Sequence, residues 1–236
     1  MSVLPPDDDK ARYVAQMFAR IAPGYDRMNR LMTFGLDRGW RAAAVSAIAP
    51  PHDARVLDVG TGTGDFVALL TPWVPQGLVV GVDFTVPMMH AGRWRHVDRR
   101  SQFVAGDALR LPFADARFDA VTTGFTVRNV SDIAAAFAEM ARVTRPGGVL
   151  ACLEVARPQQ ALVRLGHRWY FEIVVPQLAR ALGADPTAYT YLPQSARRFP
   201  APERLAELIA DNGWSHVHYW RVGSGAAAIH VARRHA

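Results

Sequence analysis

The stretch VLDVGTGTGDF, residues 56–66, decides the fold. Its first half is apolar and reads as a buried strand. Its second half opens a helix, and Gly60, Gly62 and Gly64 stand between them. Glycine at such a junction lets the backbone take positive φ and lets a ligand approach the main chain. A dinucleotide site calls for G-x-G-x-x-G, its third glycine packing the helix on the strand. Counted from Gly60, that position is Asp65. The spacing is instead G-x-G-x-G, preceded by Asp58. Taken alone, the loop also reads as a plain tight strand-to-helix turn.

Outward from the loop, strand-like and helical runs alternate. RVLDVG (55–60), LVVGVDF (78–84), SQFVAGD (101–107), FDAVTTG (118–124) and GVLACLEV (148–155) read as strands. Helices are expected from about Asp65, from about Pro87 and over 132–143, with Pro146-Gly147-Gly148 as the turn into the next strand. That order predicts a doubly wound, mostly parallel sheet. Right-handed crossovers then put ligands at the carboxyl ends of the strands. Further on, ERLAELIADNGW carries Leu205, Leu208 and Ile209 on one helical face, and Asn212-Gly213 stops the helix. HVHYWRV (216–222) and AAAIHVARR (226–234), joined by Gly223-Ser224-Gly225, predict an antiparallel hairpin at the sheet's edge, for seven strands in all.

Upstream of the sheet, residues 1–10 read as a frayed tail. Val14, Met17, Phe18 and Ile21 recur at helical spacing. Pro23, Gly24 and Gly35 break the pattern over 23–35, and a second helix runs from about Leu36 to Ile48. The organisation is one α/β domain: 1–50 N-terminal helices, 55–156 the core, 157–198 an Arg-rich aromatic insertion, and 199–236 a terminal helix and hairpin.

The chain has 236 residues, half of them hydrophobic and a fifth charged, enough to bury a real core and exclude wholesale disorder. Its 27 basic residues exceed its 21 acidic ones, for a formal charge of +6, and Lys10 is the only lysine. A basic surface favours anionic partners. Heavy use of arginine together with alanine discounts that charge as a signal for nucleic acid. With Cys152 as the only cysteine, neither a disulfide framework nor a cysteine-rich zinc site can be built. No HExxH or clustered His/Cys pattern appears, so no metal is expected. The N-terminus carries three acids and no apolar segment, and no run of about 18 apolar residues exists. The expectation is a cytoplasmic protein.

The acid-x-G-x-G-x-G motif resembles the first motif of class I S-adenosylmethionine-dependent methyltransferases, a Rossmann-like fold. The resemblance implies S-adenosyl-L-methionine as cofactor, with Asp58, Gly60, Gly62, Thr63 and Gly64 around its methionine portion. Asp83, 19 residues past Gly64 at the end of the second strand, would accept the ribose hydroxyls, with Phe84 beside it. Asp107, followed by Ala108, would take the adenine amino group. Gly124 stands where relatives often carry a serine on the cofactor's side. A blander reading remains open: acids commonly begin the turns that leave parallel strands.

Four further stretches resemble the menaquinone/ubiquinone biosynthesis C-methyltransferases over nearly the whole chain: YDRMNRLMTFGLDRGW (25–40), RNVSD (128–132), RVTRPGGVLACLEVARP (142–158) and AYTYLPQSARRFP (188–200). The resemblance implies methylation of a prenylated quinol ring, demethylmenaquinol to menaquinol. It implies that the N-terminal helices form a lid, with Tyr25, Asp26, Met28, Asn29 and Tyr191 on the substrate side. Tyr25 and Met28 also read as packing, and Asp26 and Asn29 as caps. A phenol titrates near 10, so the ring needs help to become nucleophilic. Arg128 is the candidate charge to stabilise the phenolate, and Asn129 would orient the same oxygen. Alternatively, both cap the helix that starts near Ser131. The fourth strand lacks the Pro-Pro motif of base-amino methyltransferases, so no nucleic-acid partner is expected. Other readings are methylation of another small aromatic or of RNA, and a non-catalytic adenosyl-binding subunit of a quinone-biosynthesis assembly. The greasy substrate and Arg164, Arg168 and Arg180 around Trp169, Phe171, Ile173, Val174 and Val175 imply peripheral contact with an anionic membrane, at the inner face of the cytoplasmic membrane. A homodimer is left open.

Overall fold

The computed structural model describes residues 7–92, 98–181 and 185–236. Three helices, α1 (Asp7–Ile21), α2 (Tyr25–Thr33) and α3 (Leu36–Ile48), precede the sheet. Then follow β1 (Arg55–Val59), α4 (Asp65–Leu70), β2 (Leu78–Asp83), α5 (Val86–Gly92), β3 (Ser101–Ala105), β4 (Phe118–Gly124), α6 (Ile133–Val143) and β5 (Thr144–Val155). The helices α7 (Ala161–Trp169), α8 (Val175–Ala181) and α9 (Pro186–Arg198) form the insertion. α10 (Pro202–Asp211), β6 (Trp214–Val222) and β7 (Ala227–Arg234) close the chain.

The seven strands lie in the order β3-β2-β1-β4-β5-β7-β6. The first five are parallel, and β7 runs antiparallel to both β5 and β6. This is the doubly wound sheet expected. Val56 and Leu57 show how it is covered. Val56 packs with Ala44, Val45 and Ile48 of α3 and Phe66 and Leu70 of α4. Leu57 packs on the other face with Phe137 and Met140 of α6 and Leu205 and Ile209 of α10. Alternate residues of a strand face opposite sides, and both sides are apolar. Chain order reverses between β1 and β4, which opens a crevice at their carboxyl ends.

Several expectations need correction. The region 23–35 is helical: Pro23 lies in a short 3-10 turn, and α2 runs nine residues before Phe34 (φ 52°) and Gly35 (φ 73°) end it. Residues 7–10, read as frayed tail, belong to α1, while 1–6 lie outside the described residues. The Pro-Gly-Gly turn falls inside β5. Pairing passes from Phe118–Thr144 to Ala120–Val149, so the strand bulges there. The helix after β4 is capped by neither Arg128 nor Asn129. Asp132 caps it, its carboxylate accepting from Ala135 N at 2.9 Å. The hairpin is at the edge, but its second strand, β7, is inserted between β5 and β6.

A third apolar cluster lies above the crevice. Met17, Phe18 and Ile21 of α1, Met28 and Met32 of α2, Val175 and Ala179 of α8 and Tyr189 and Tyr191 of α9 meet there. α1 and α2 thus pack with α8 and α9 of the insertion as one layer, the one expected to be a lid, while α3 packs on the sheet with Val56.

Candidate active site

A cavity sits between the crevice and the lid. Its floor is Gly60 and Gly62 after β1, Asp83, Phe84 and Thr85 at the end of β2, Asp107, Ala108 and Leu109 after β3, and Gly124, Phe125 and Thr126 at the end of β4. Its roof is Ala11, Val14, Ala15 and Phe18 of α1, with Tyr25 of α2. The expected Gly60, Gly62, Asp83, Phe84, Asp107, Ala108, Gly124, Asn129 and Tyr25 are therefore brought together around one cavity. Asp58, Thr63, Gly64, Asp26, Met28, Asn29, Arg128 and Tyr191 do not line this cavity.

The glycine loop is held by its neighbours. Gly60 has φ 69°, and a Cβ there would come within 2.1 Å of the Thr126 side chain. The Thr126 hydroxyl donates to the carbonyls of Gly60 and Gly124, each at 3.1 Å. Gly62 N–H donates to Asp83 Oδ2 at 2.7 Å, and Thr85 N–H donates to Asp83 Oδ1 at 2.7 Å. Burial pushes the Asp83 carboxyl upward, and those two N–H donors oppose the shift. Asp107 Oδ1 accepts from Leu109 N–H at 2.9 Å. Both acids thus shape their own turns, as the blander reading holds, and both also line the cavity. A Cβ on Gly124 would strike Phe66 at 2.6 Å, so a bare backbone suits this wall.

Asp58 lies behind the loop, 1% exposed. Burial raises its carboxyl to about 7, and the Thr122 hydroxyl, donating at 2.8 Å, opposes the rise.

On the lid side, Asp26 Oδ1 accepts from the Thr63 hydroxyl at 2.6 Å and straps α2 to the glycine loop. Met28 is core. Burial raises the Tyr25 phenol, opposed by its bond to the Asn29 side chain and then by the charges of Arg128 and Arg41. The Asn129 amide donates to Phe125 O at 3.2 Å and accepts from the Tyr191 hydroxyl at 3.3 Å. Arg128 is not a free charge: its Nη1 meets Glu154 Oε2 at 3.0 Å, and its backbone N–H donates to Glu154 Oε1 at 3.3 Å. Its Nε is buried without a hydrogen-bond partner. Phe125, in the left-handed region (φ 58°), lies under Arg128 at 5.4 Å and Arg41 at 5.3 Å. Arg41 in turn pairs with Asp37 at 2.6 Å and Asp65 at 3.6 Å.

Sequence reasoning missed the α1 roof, Thr85, Phe125, Thr126 and Glu154. Val14 and Phe18 were visible only as helix spacing, since apolar residues carry no chemical label. Glu154 did carry a signal. A carboxylate inside the apolar run GVLACLEV must be paired, because an unpaired buried charge is prohibitive.

Fold and site together define a class I methyltransferase: a seven-stranded sheet with a glycine loop at β1 and acids at the ends of β2 and β3. The profile of the ubiE/COQ5 methyltransferase family matches residues 7–234, and the chain belongs to that family. A demethylmenaquinone methyltransferase of Roseiflexus sp. (strain RS-1) is 66% identical over 98% of this chain and 97% of its own length. One from Deinococcus radiodurans is 45% identical over 87% and 86%. Among solved structures, the cyclase SpnF shares the fold at a TM-score of 0.70 with 17% identity, covering 95% of this chain and 97% of its own. Phosphoethanolamine N-methyltransferase 2 of Haemonchus contortus, in complex with S-adenosyl-L-methionine, has a TM-score of 0.62 with 14% identity, over 84% of this chain and 53% of its own. A cyclase on the same fold shows that fold alone does not fix the reaction. The cofactor of the family is S-adenosylmethionine. The cavity fits it: a glycine cradle at Gly60 and Gly62, and two carboxylates aligned on adjacent strand ends.

Proposed function

We propose that this chain methylates a ring carbon of a prenylated quinol, converting demethylmenaquinol to menaquinol. What supports the reading is the near full-length likeness to relatives of that name, 66% identical in the first case. When bound, S-adenosylmethionine supplies an already activated methyl group. The chain's own residues do the rest. Asp83 accepts the ribose hydroxyls, and Asp107 the adenine amino group. The loop from Gly60 to Gly64, supported by Asp58 and Thr63, surrounds the methionine portion. The α1 roof excludes water and holds the acceptor close, and such positioning supplies much of the rate.

The acceptor's phenol must lose its proton before the ortho carbon attacks. With S-adenosylmethionine held by Asp83, Asp107 and the glycine loop, that carbon would accept its methyl, and loss of the ring proton to water would restore the aromatic system. Asn129, which lines the cavity and is held by the Tyr191 hydroxyl, is the donor we assign to the developing phenolate, and the charge of Arg128 stabilises it from behind that wall. Glu154 holds that guanidinium in place. Tyr25, Asp26, Met28 and Asn29 keep the lid shut over the pair. A prenyl tail keeps this substrate in a bilayer, so the reading includes contact with the inner face of the cytoplasmic membrane. Among the described residues no helix is long and apolar enough to cross one.

The test is transfer of labelled methyl by the purified protein to short-chain demethylmenaquinol, beside bulk tRNA. Label is expected in the quinol alone. Label in RNA, or in neither, overturns the reading. Deleting the gene in its host should leave a quinone one methyl lighter.

A further inference from the structure

We propose that the outward face built by α7, the π-helical turn after it (Tyr170–Val174) and the α2–α3 corner docks on an anionic lipid surface. The proposal names the partner of the lid described above and rests on the quinol reading only for what the docking is for. α7 buries none of its residues. Leu162, Leu165, Trp169 and Ile173 recur at spacings that share one helical side. All four face water, from 82% exposed at Leu162 to 46% at Ile173. Tyr170 fastens this stripe to the corner. Its hydroxyl donates to Leu31 O at 3.2 Å, and its ring stacks on Phe34 with centroids 5.4 Å apart. Phe34 is 76% exposed and takes positive φ, a conformation uncommon for an aromatic residue. Leu31 and Leu36 beside it are exposed too. An apolar patch of this extent, rimmed by charge, marks an interaction site.

Charge selects the occupant. Arg27, Arg30 and Arg38 at the corner and Arg164 and Arg168 on α7 are all exposed. The acids of these segments are otherwise engaged. Asp26 meets Thr63, Asp37 is buried against Arg41, and Glu172 is shared by Arg168 and Arg197. A second copy brought up by a two-fold axis would set this basic rim against itself. Anionic headgroups attract all of it, each arginine adding about fivefold in affinity near the surface. An amphipathic helix with arginine beside its apolar stripe is built to lie in a bilayer's interface. Tyr170 and Phe171 also pack against the methionine-rich cluster that includes Phe18 and Tyr25. Those two line the cavity, so the docking face and the site share one apolar wall.

Sedimentation with phosphatidylcholine vesicles, with and without phosphatidylglycerol, at low and high salt, tests the proposal. The wild type is expected to bind the anionic vesicles and to be released by salt. Leu162→Asp with Trp169→Asp should weaken that binding by about tenfold or more. Arg164→Glu with Arg168→Glu should abolish the preference for anionic lipid. Both doubles should keep their melting temperature and their activity on short-chain demethylmenaquinol. Equal recovery with neutral and anionic vesicles, or undiminished binding by the first double, overturns the proposal. So does a wild-type dimer that this double converts to monomer while neither protein binds vesicles, which assigns the face to a second copy. A wild type that binds anionic vesicles but methylates no quinol sinks the proposed reaction and leaves this face standing.

Discussion

The sheet and the lid are held together on different terms. In the sheet, β1 is buried from Val56 onward and paired on both sides in fixed parallel register. Any shift there breaks ladder bonds and two packed faces together. In the lid, Met17, Met28 and Met32 gather with five tyrosines (Tyr13, Tyr25, Tyr170, Tyr189 and Tyr191) among helices joined by turns, and α7 beside them buries nothing. Methionine is unbranched and fills irregular gaps, so this layer can repack where the sheet cannot. The contrast suits the proposed reaction. A cofactor of one shape takes the rigid half, and a long flexible acceptor takes the adaptable half.

The most forceful way to break that contrast is to unbalance the charge at the end of the sheet. Arg128→Ala leaves Glu154, 1% exposed, without its cation. We expect a loss of about 3–5 kcal/mol in stability, read by urea denaturation. Arg128→Lys keeps a charge and should fold. Its single-turnover rate should fall at neutral pH and recover toward about pH 10, where a phenol ionises unaided. A flat loss across pH would reject the catalytic role and leave only the structural one.

Next in size is the packing itself. Leu57→Ala, in the sheet, should cost near the upper end of about 2–5 kcal/mol for such truncations, and Met28→Ala, in the lid, near the lower end. Equal costs would mean the lid is as rigid as the sheet.

Asp83→Ala should weaken S-adenosylhomocysteine by roughly 10- to 100-fold in calorimetry, about 1.5–3 kcal/mol, since a charged acceptor is lost. Asp26→Ala, which cuts the strap to Thr63, should cost less, about 0.5–1.5 kcal/mol. Its effect should appear in the acceptor's KM as much as in cofactor affinity.

The smallest effect is a proton. The Asp58 carboxyl sits at about 7 in the fold against an ordinary 3.8. The folded state therefore holds this proton more tightly than the unfolded chain. Its contribution to stability is full below the ordinary value and is lost as pH rises through about 7. A ligand ammonium near β1 would draw the proton off. S-adenosylhomocysteine binding below pH 7 should then release a fraction of a proton, measured as a buffer-dependent enthalpy. Affinity should fall by at most about 1.4 kcal/mol per pH unit of acidification.

The two halves also differed in how much of them the sequence disclosed. β2, expected over 78–84, runs Leu78–Asp83, because strands buried on both faces are written as near-continuous apolar runs. Gly60, Asp83 and Asp107 could be placed because each sits at a strand end, where chain direction and glycine chemistry are local facts. The lid was harder. Pro23, Gly24 and Gly35 look like a broken helix, yet they flank a continuous one, α2. Nothing local ties Arg128 to Glu154, which lies 26 residues on. Trp169, Phe171, Ile173, Val174 and Val175 seemed too crowded for one stripe. The π turn resolves this by turning Trp169 and Ile173 outward and Val175 into the core.

The position of β7 between β5 and β6 has a consequence for synthesis. Residues Ala227–Arg233 pair with Val149–Val155 on one side and bridge to β6 on the other. The outer edge of β5 therefore stays unsatisfied until the final strand emerges from the ribosome. About 70 residues separate Val155 from Ala227, which at roughly 5–20 residues per second leaves that edge bare for on the order of 4–14 s. A nascent chain in this interval offers a long apolar strand to any neighbour on the same messenger. A stop codon ahead of Ala227 would make that exposure permanent and leave β6 with nothing to pair against.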